Sequence, residues 1–141
     1  MRFEASTEQE IDWIRTKLNI AKIEDTKGIS ALSDSGELYG VCAMESWTEG
    51  SCQVHIVINN PICLKGYKLF REVFNYIFNV GNRHTALGFV SADNDKALNF
   101  DKKIGFKELA RIKDGFKLGT DTVILELRRE NCKWIDKEAP K

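Results

Sequence analysis

The middle of the chain carries the pattern that most restricts its fold. A run rich in β-branched residues, Cys52–Ile58, is stopped by Asn59–Pro61. Leu64–Val80 then has apolar residues at the spacing of an amphipathic helix, and Thr85–Val90 is a short apolar strand. A helix that connects two strands of one sheet makes those strands parallel, because the chain must cross back before the second strand begins. The sequence therefore predicts a parallel strand pair at the centre of an α/β fold.

The segments on both sides of this crossover predict antiparallel strands. Thr7 and Glu10 form a capping box, which indicates the start of a helix. The predicted elements are a helix over Thr7–Asn19, strands over Gly28–Ser33, Glu37–Trp47 and Cys52–Ile58, a helix over Leu64–Val80, a strand over Thr85–Val90, a helix over Asn94–Ile104, and strands over Phe106–Ile112 and Thr122–Leu127 separated by a loop over Lys113–Asp121. This order predicts a mixed, mostly antiparallel sheet of six or seven strands flanked by helices, with one central parallel crossover.

Length and charge limit the number of domains and the kinds of partner. The 141 residues suit one domain, so we expect a single domain over residues 1–141. Twenty-one basic and 21 acidic residues give a formal net charge of zero, so no overall field attracts nucleic acid or an anionic membrane. We therefore expect neither nucleic acid nor a membrane as a partner.

The same sequence features predict a cytoplasmic protein without a metal site. No run approaches the roughly 18 to 20 apolar residues that cross a bilayer, and Met1–Ser6 lacks the apolar segment of a signal peptide. The four cysteines contain no C-x-x-C pair, and the two histidines, His55 and His84, lie far apart. We expect reduced thiols in the core and no metal ligands.

The segment Asn94–Phe106 carries the most specific motif in the chain. A helix-capping residue is followed by a small residue, an aromatic residue, a lysine and a Gly-Phe pair. This pattern resembles the N-x-x-A-x-x-[LF]-Y-x-K-x-G-F segment of the GNAT superfamily of acetyl-coenzyme-A-dependent N-acyltransferases. The matching residues are Asn94, Ala97, Phe100, Lys103, Gly105 and Phe106. The resemblance implies a GNAT-like sheet over nearly the whole chain.

Structural roles account for the same residues equally well. Asn94 suits a helix cap, Ala97 and Phe100 suit core contacts, and Gly105 suits a left-handed residue at a helix end. We expect both sets of roles to hold.

One position of the motif departs from the family. Asp101 stands where the resemblance implies a tyrosine that protonates the departing thiolate of coenzyme A. A solvated carboxylate with its ordinary pKa is ionised at neutral pH and has no proton to donate. The sequence therefore predicts that Asp101 does not serve as the acid.

The loop after Cys52–Ile58 matches the family only in part. The corresponding GNAT loop reads [RQ]-x-x-G-x-G-x-x-L, and its backbone N–H groups and helix N-terminus hold the pyrophosphate of coenzyme A. Gly66 occupies the second glycine position, but Leu64 stands at the first and Pro61 at the basic position. Lys65 and Lys68 can supply the missing positive charge, or they can simply be solvated in the first turn of the helix.

The resemblance also implies where the coenzyme lies. The family's coenzyme-binding strand would be Val54–Ile58, which parts from Thr85–Val90 so that the pantetheine arm can pair with its backbone. Acetyl-coenzyme A would then be the cosubstrate. The implied coenzyme-binding residues are Val57, Ile58, Leu64, Lys65, Gly66, Tyr67, Lys68, Asn94, Ala97 and Phe100.

Two residues are candidates for the catalytic base. His55 lies in the middle of the proposed coenzyme strand and titrates near neutral pH, so it can take a proton from an incoming ammonium group. Alternatively, it is a hydrogen-bonded histidine in a half-buried strand. Glu45, near the end of the preceding strand, can act as a base or bind a cationic amine.

Together, these residues predict one of two functions. The first is an N-acetyltransferase in which a primary amine, from a small molecule or a peptide, directly attacks acetyl-coenzyme A in a ternary complex. The second is a domain that binds coenzyme A or another protein and has the GNAT fold with weak or no catalysis, as the departures at Pro61, Leu64 and Asp101 suggest. Exposed edge strands could also pair two copies into a homodimer.

Overall fold

The computed structural model describes residues 1–18 and 25–136 and contains one seven-stranded sheet. The strand order is β1-β2-β3-β4-β5-β7-β6. The strands are β1 (Arg2–Ala5), β2 (Lys27–Leu32), β3 (Leu38–Glu45), β4 (Ser51–Ile58), β5 (Thr85–Ser91), β6 (Lys107–Lys117) and β7 (Thr120–Arg128). The α-helices are α1 (Glu8–Leu18), α2 (Lys68–Asn75) and α3 (Asp95–Ile104).

Strand pairing confirms the predicted topology. β4 and β5 are parallel, and every other neighbouring pair in the sheet is antiparallel. The connection between β4 and β5 carries α2, as the amphipathic pattern predicts. The mostly antiparallel sheet with one central crossover is therefore present, at the upper end of the predicted strand number.

The helices cover opposite faces of the sheet. α1 packs Ile11 and Ile14 against Val41 and Ala43 of β3. The larger cluster lies on the other face, where the apolar sides of α2 and α3 cover the sheet. Its largest fully buried side chains include Phe74, Phe78, Met44, Leu69, Ile77, Leu125 and Leu127. This arrangement gives the centre of the sheet an α1 face and an α2–α3 face.

The capping box forms as the sequence predicts. The backbone N–H of Glu10 donates to Thr7 Oγ1 at 3.2 Å, and the backbone N–H of Thr7 donates to Glu10 Oε1 at 2.9 Å. These two bonds satisfy donors that have no partner within the helix. The last residue of the predicted helix, Asn19, lies outside the described residues.

The prediction was wrong at the start of the second helix. Pro61–Tyr67 is a 3-10 turn, Lys65 is extended, and Gly66 and Tyr67 have φ angles of 69° and 58°. The α-helical backbone begins only at Lys68 and ends in a π-helical turn over Tyr76–Val80. Apolar spacing could not reveal the break, because Leu64 is partly buried against the main core although it precedes the helix.

Two strand predictions also need correction. β1 was not predicted, because an alternation of charged and apolar residues over only four positions is too short to indicate a strand. The predicted loop Lys113–Asp121 is mostly strand, since β6 runs to Lys117 and β7 begins at Thr120. All of β6 is exposed, so the burial pattern that identifies a strand is absent from its sequence.

The end of the described chain packs against the helices. The Trp134 Nε1–H donates to the carbonyl oxygen of Ile104 at 2.8 Å, and the Trp134 side chain is buried. Within the described residues, no helix is long and apolar enough to cross a membrane.

Candidate active site

The central feature of the site is a fork between β4 and β5. These strands pair only from Ser51 to Gln53 and from Thr85 to Leu87. Beyond those residues β4 stays paired with β3 up to Ile58, and β5 stays paired with β7 up to Ser91. We call the divergence of residues 54–58 from residues 88–91 the fork. It leaves backbone edges of two strands facing each other, and a ligand can pair with such edges.

His55 and Glu45 form a direct pair on the α1 face beside the fork. His55 Nε2 lies 2.9 Å from Glu45 Oε1, and the side chains are 14% and 7% exposed. His55 stands opposite Ala43, which belongs to the cluster under α1. The structure therefore brings together the two residues that the sequence proposed separately as bases.

Residues 25 and 26, which precede β2, support this pair. Thr26 Oγ1 donates to Glu45 Oε2 at 3.4 Å. The Asp25 carboxylate accepts the backbone N–H groups of Ser46 and Trp47 at 3.3 and 3.1 Å, which fixes the turn after Glu45. Both carboxylate oxygens of Glu45 are therefore engaged, and His55 Nδ1 is the nitrogen of the pair without a partner among the described residues.

Asp101 lies on the α2–α3 face at the start of the fork. A Cβ atom built on Gly88 would lie 3.7 Å from Asp101 Oδ2, and Gly88 is the first residue of β5 beyond its pairing with β4. Burial raises the pKa of Asp101 to about 6. The expectation of a solvated carboxylate with an ordinary pKa was wrong, because the side chain is largely buried.

The loop before α2 presents two cations to solvent. Lys65 and Lys68 are exposed, and Gly66 lies between them in the left-handed conformation. These residues form one wall of an open groove of about 670 Å³ whose other wall includes Ser33 and Tyr39. The α2 N-terminus has no side-chain cap. Positive charge, an uncapped helix start and access from solvent together suit an anionic group.

Aromatic packing holds this loop against the end of the described chain. The Tyr67 ring centroid lies 4.8 Å from that of Trp134 and 6.5 Å from that of Phe70. The left-handed backbone of Tyr67 is uncommon for a residue with a bulky side chain. The contact with Trp134 therefore stabilises a strained turn next to Lys68.

The other proposed coenzyme residues have structural roles in addition. Asn94 Oδ1 accepts the backbone N–H of Ala97 at 3.1 Å and so caps α3. The Phe100 ring lies 6.0 Å from that of Phe70. Val57 packs against the α1 cluster, and Ile58 against the main core. No hydrogen bond or ion pair between described residues joins Asn94 to the loop over residues 64–68.

The cysteines are buried and reduced. Cys42, Cys52, Cys63 and Cys132 are free thiols. Burial raises the pKa of the Cys63 thiol, which opposes a role as a nucleophile. In residues 1–18 and 25–136, no group of three or more His, Cys, Asp or Glu side chains is placed to hold a metal ion.

Sequence reasoning missed Gly88, Asp25 and Thr26. Gly88 carried a usable signal, because a glycine inside a strand often marks a close approach of other groups. Asp25 and Thr26 carried none, because their roles depend on a turn that brings them to the end of β3.

Comparisons with known proteins agree with this geometry. No protein-family model and no curated protein sequence matches the chain. A mutant form of SpeG, the spermidine/spermine N-acetyltransferase of Vibrio cholerae, has a TM-score of 0.73 and 16% identity, covering 92% of this chain and 95% of its own. The dodecameric structure of that spermidine N-acetyltransferase has a TM-score of 0.73 and 16% identity, with coverages of 92% and 94%. The chain therefore has the GNAT fold, which confirms the fold expected from Asn94–Phe106.

Proposed function

We propose that this protein is an N-acetyltransferase that transfers an acetyl group from acetyl-coenzyme A to a primary amine. The main observation in support is the fork between β4 and β5, with the His55–Glu45 pair on one face. The fork provides backbone edges for a ligand, and the pair provides a base within the same part of the sheet. The similarity to N-acetyltransferase structures agrees with this function.

The loop before α2 is the proposed site for the phosphates of the coenzyme. Lys65 and Lys68 supply positive charge, and Gly66 lets the backbone approach an anion closely. The remaining proposed contacts come from Val57 and Ile58 along β4. Acetyl-coenzyme A supplies an acetyl thioester that an amine can attack directly. In this proposal no residue of the chain becomes acetylated during turnover.

His55 is the proposed base, and Glu45 is the proposed positioning residue. If the neutral ring of His55 donates its Nε2–H to Glu45, Nδ1 carries the lone pair that accepts a proton. An ammonium group that loses this proton becomes the neutral amine needed for attack. The Glu45 carboxylate then stabilises the resulting imidazolium at 2.9 Å. Because Glu45 is buried, it acts through His55 rather than on the acceptor.

The proposed acceptor is a small cationic amine, and spermidine is the first to test. The similar structures are titled spermidine or spermine N-acetyltransferases. Peptide amines should be assayed alongside spermidine for comparison.

We also propose a single domain located in the cytoplasm, where the buried thiols would stay reduced. We further propose that two copies of the chain can pair as a homodimer, because β6 is an exposed edge strand whose backbone can bind a second strand.

Coenzyme A is expected to stabilise the folded protein. At a concentration of about 100 times Kd, a ligand that binds only the native state adds about 2.7 kcal/mol, which raises Tm by several degrees. Thermal unfolding with and without coenzyme A measures this shift. Lys65→Gln is expected to reduce the shift, whereas Lys107→Gln, on the exposed strand β6, serves as the matched control.

Thiol release separates the two candidate functions. An enzyme liberates coenzyme A from acetyl-coenzyme A only when an amine is present, and the acetylated amine can be identified by mass spectrometry. A thermal shift without amine-dependent release would favour the binding domain. If coenzyme A produced no shift at millimolar concentration, the acetyltransferase and the coenzyme-binding domain would be contradicted, and the protein-interaction domain would be favoured.

A further inference from the structure

We propose that Trp134 is a positioning residue for coenzyme binding, because it holds the loop before α2 in the conformation that binds the coenzyme phosphates. This inference rests on the proposed binding of coenzyme A by that loop. It assigns control of the loop to a residue near the end of the described chain. Trp134 acts through Tyr67, the residue that precedes α2, and not by touching the coenzyme.

The Trp134 side chain is anchored to the end of α3. Its Nε1–H donates to the carbonyl oxygen of Ile104, the last residue of α3, at 2.8 Å. The side chain is buried, and its ring centroid lies 5.3 Å from that of Phe70 in α2. The last carbonyl groups of a helix have no partner within the helix, so this bond satisfies both a buried donor and an acceptor at the helix end. One ring therefore connects the C-terminal end of α3 to the first half of α2.

The same ring contacts the strained turn before α2. Tyr67 has a φ of 58° and a ψ of 21°, and its side chain is about half exposed. Its ring centroid lies 4.8 Å from that of Trp134, whereas the distance to the ring of Phe70 is 6.5 Å. Aromatic pairs at such distances attract each other beyond the effect of burial. Because a residue with a Cβ disfavours the left-handed conformation, the turn needs this compensating contact.

The conformation of Tyr67 sets the direction of the loop backbone. Lys65 is extended, Gly66 and Tyr67 are left-handed, and Lys68 is right-handed. A change of hand between neighbouring residues turns consecutive backbone N–H groups toward one side, where an anion can accept them. Gly66 adopts its conformation freely, but Tyr67 does not. Without the contact to Trp134, we expect Tyr67 to leave the left-handed region for part of the time and the N–H groups to lose their common direction.

The contact is expected to affect the affinity for coenzyme A and not the rate of acetyl transfer. A ligand binds more weakly in proportion to the fraction of the protein that is competent to bind. The cost of a left-handed residue with a Cβ corresponds to a factor of about five to thirty, which sets the upper limit of the effect. His55 and Glu45 lie on the α1 face, whereas Trp134 belongs to the core on the other face. KM for acetyl-coenzyme A should therefore rise while kcat changes by less than about twofold.

The first test is a matched pair of variants at Tyr67. Tyr67→Ala and Tyr67→Gly both lack the ring, so any contact between that ring and the coenzyme is lost equally. They differ in the cost of the left-handed backbone, which alanine has and glycine lacks. Both should fold, because the replaced side chain is about half exposed. We expect Kd for coenzyme A, measured by isothermal titration calorimetry, to be about three- to thirtyfold higher for Tyr67→Ala.

The second test determines whether Trp134 acts through Tyr67. Trp134→Leu should raise Kd by about three- to thirtyfold in the wild-type protein, but by less than about twofold in a protein that carries Tyr67→Gly. Trp134→Phe keeps a ring beside Tyr67, so its Kd should stay within about threefold of the wild-type value. Phe78→Leu is the matched control. It removes a fully buried ring at the other end of the helical segment, so it should lower Tm without changing Kd.

The outcomes separate this inference from the proposed function. Equal Kd values for the two Tyr67 variants would mean that the turn forms without help. An equal effect of Trp134→Leu in both backgrounds would mean that Trp134 acts by a route other than Tyr67. Either result overturns the inference while the wild-type protein still binds coenzyme A. If the wild-type protein bound no coenzyme A, the proposed function and the role of Trp134 would fail together.

Discussion

Replacing His55 with glutamine is expected to lower kcat for amine acetylation by about 10² to 10⁴-fold, the usual contribution of a general base. Glutamine keeps a donor for Glu45 but has no nitrogen that accepts a proton near neutral pH. The loss should therefore appear in kcat, while the thermal shift with coenzyme A is retained. Steady-state kinetics with spermidine, followed by thiol release, measures the effect.

Glu45→Gln separates positioning from direct base catalysis. Without the Glu45 carboxylate, the imidazolium of His55 loses its partner at 2.9 Å, so kcat should fall while the thermal shift with coenzyme A is retained. Activity should survive, because His55 Nδ1 still accepts a proton. If His55→Gln kept full activity and Glu45→Gln lost it, the assignment of base and positioning residue would be reversed.

The topology was predictable because it depends on local patterns. The capping box at Thr7, the β-branched run of β4 and the amphipathic stretch before β5 each determine a local element. Once these elements are in order, the crossover rule fixes the parallel pair at the centre of the sheet. The edge strand β6 was too short in the prediction because it buries none of its residues.

The sequence predicted which residues are candidates for the site but not how they are arranged in space. His55 and Glu45 are ten positions apart, and their contact requires the antiparallel register that places Ala43 opposite His55. The burial of Asp101 depends on how α3 packs over β5, which no single segment encodes. The predicted helix start failed for a similar reason, because Tyr67 holds its left-handed backbone through contact with distant Trp134.

The two faces of the fork have opposite electrostatic properties. On the α1 face, the His55 ring lies 2.9 Å from the carboxylate of Glu45. On the α2–α3 face, Asp101 has apolar neighbours that favour its neutral form. The arrangement also implies that Asp101 reduces the stability of the folded protein at neutral pH.

Asp101→Asn is therefore expected to stabilise the protein, by an amount that depends on pH. A rise in the pKa of Asp101 from 3.8 to about 6 corresponds to about 3 kcal/mol between the two protonation states. Because the folded state then binds more protons than the unfolded state between those values, the wild-type free energy of unfolding falls as pH rises through this window. Asparagine has no such titration.

We expect the two proteins to be equally stable near pH 3 and to differ by about 3 kcal/mol above pH 7, or about 10 °C in Tm. Denaturant unfolding at a series of pH values measures this difference, with Glu72→Gln as the control that should show no such trend. A difference that did not change with pH would mean that the Asp101 carboxyl is solvated in the folded protein.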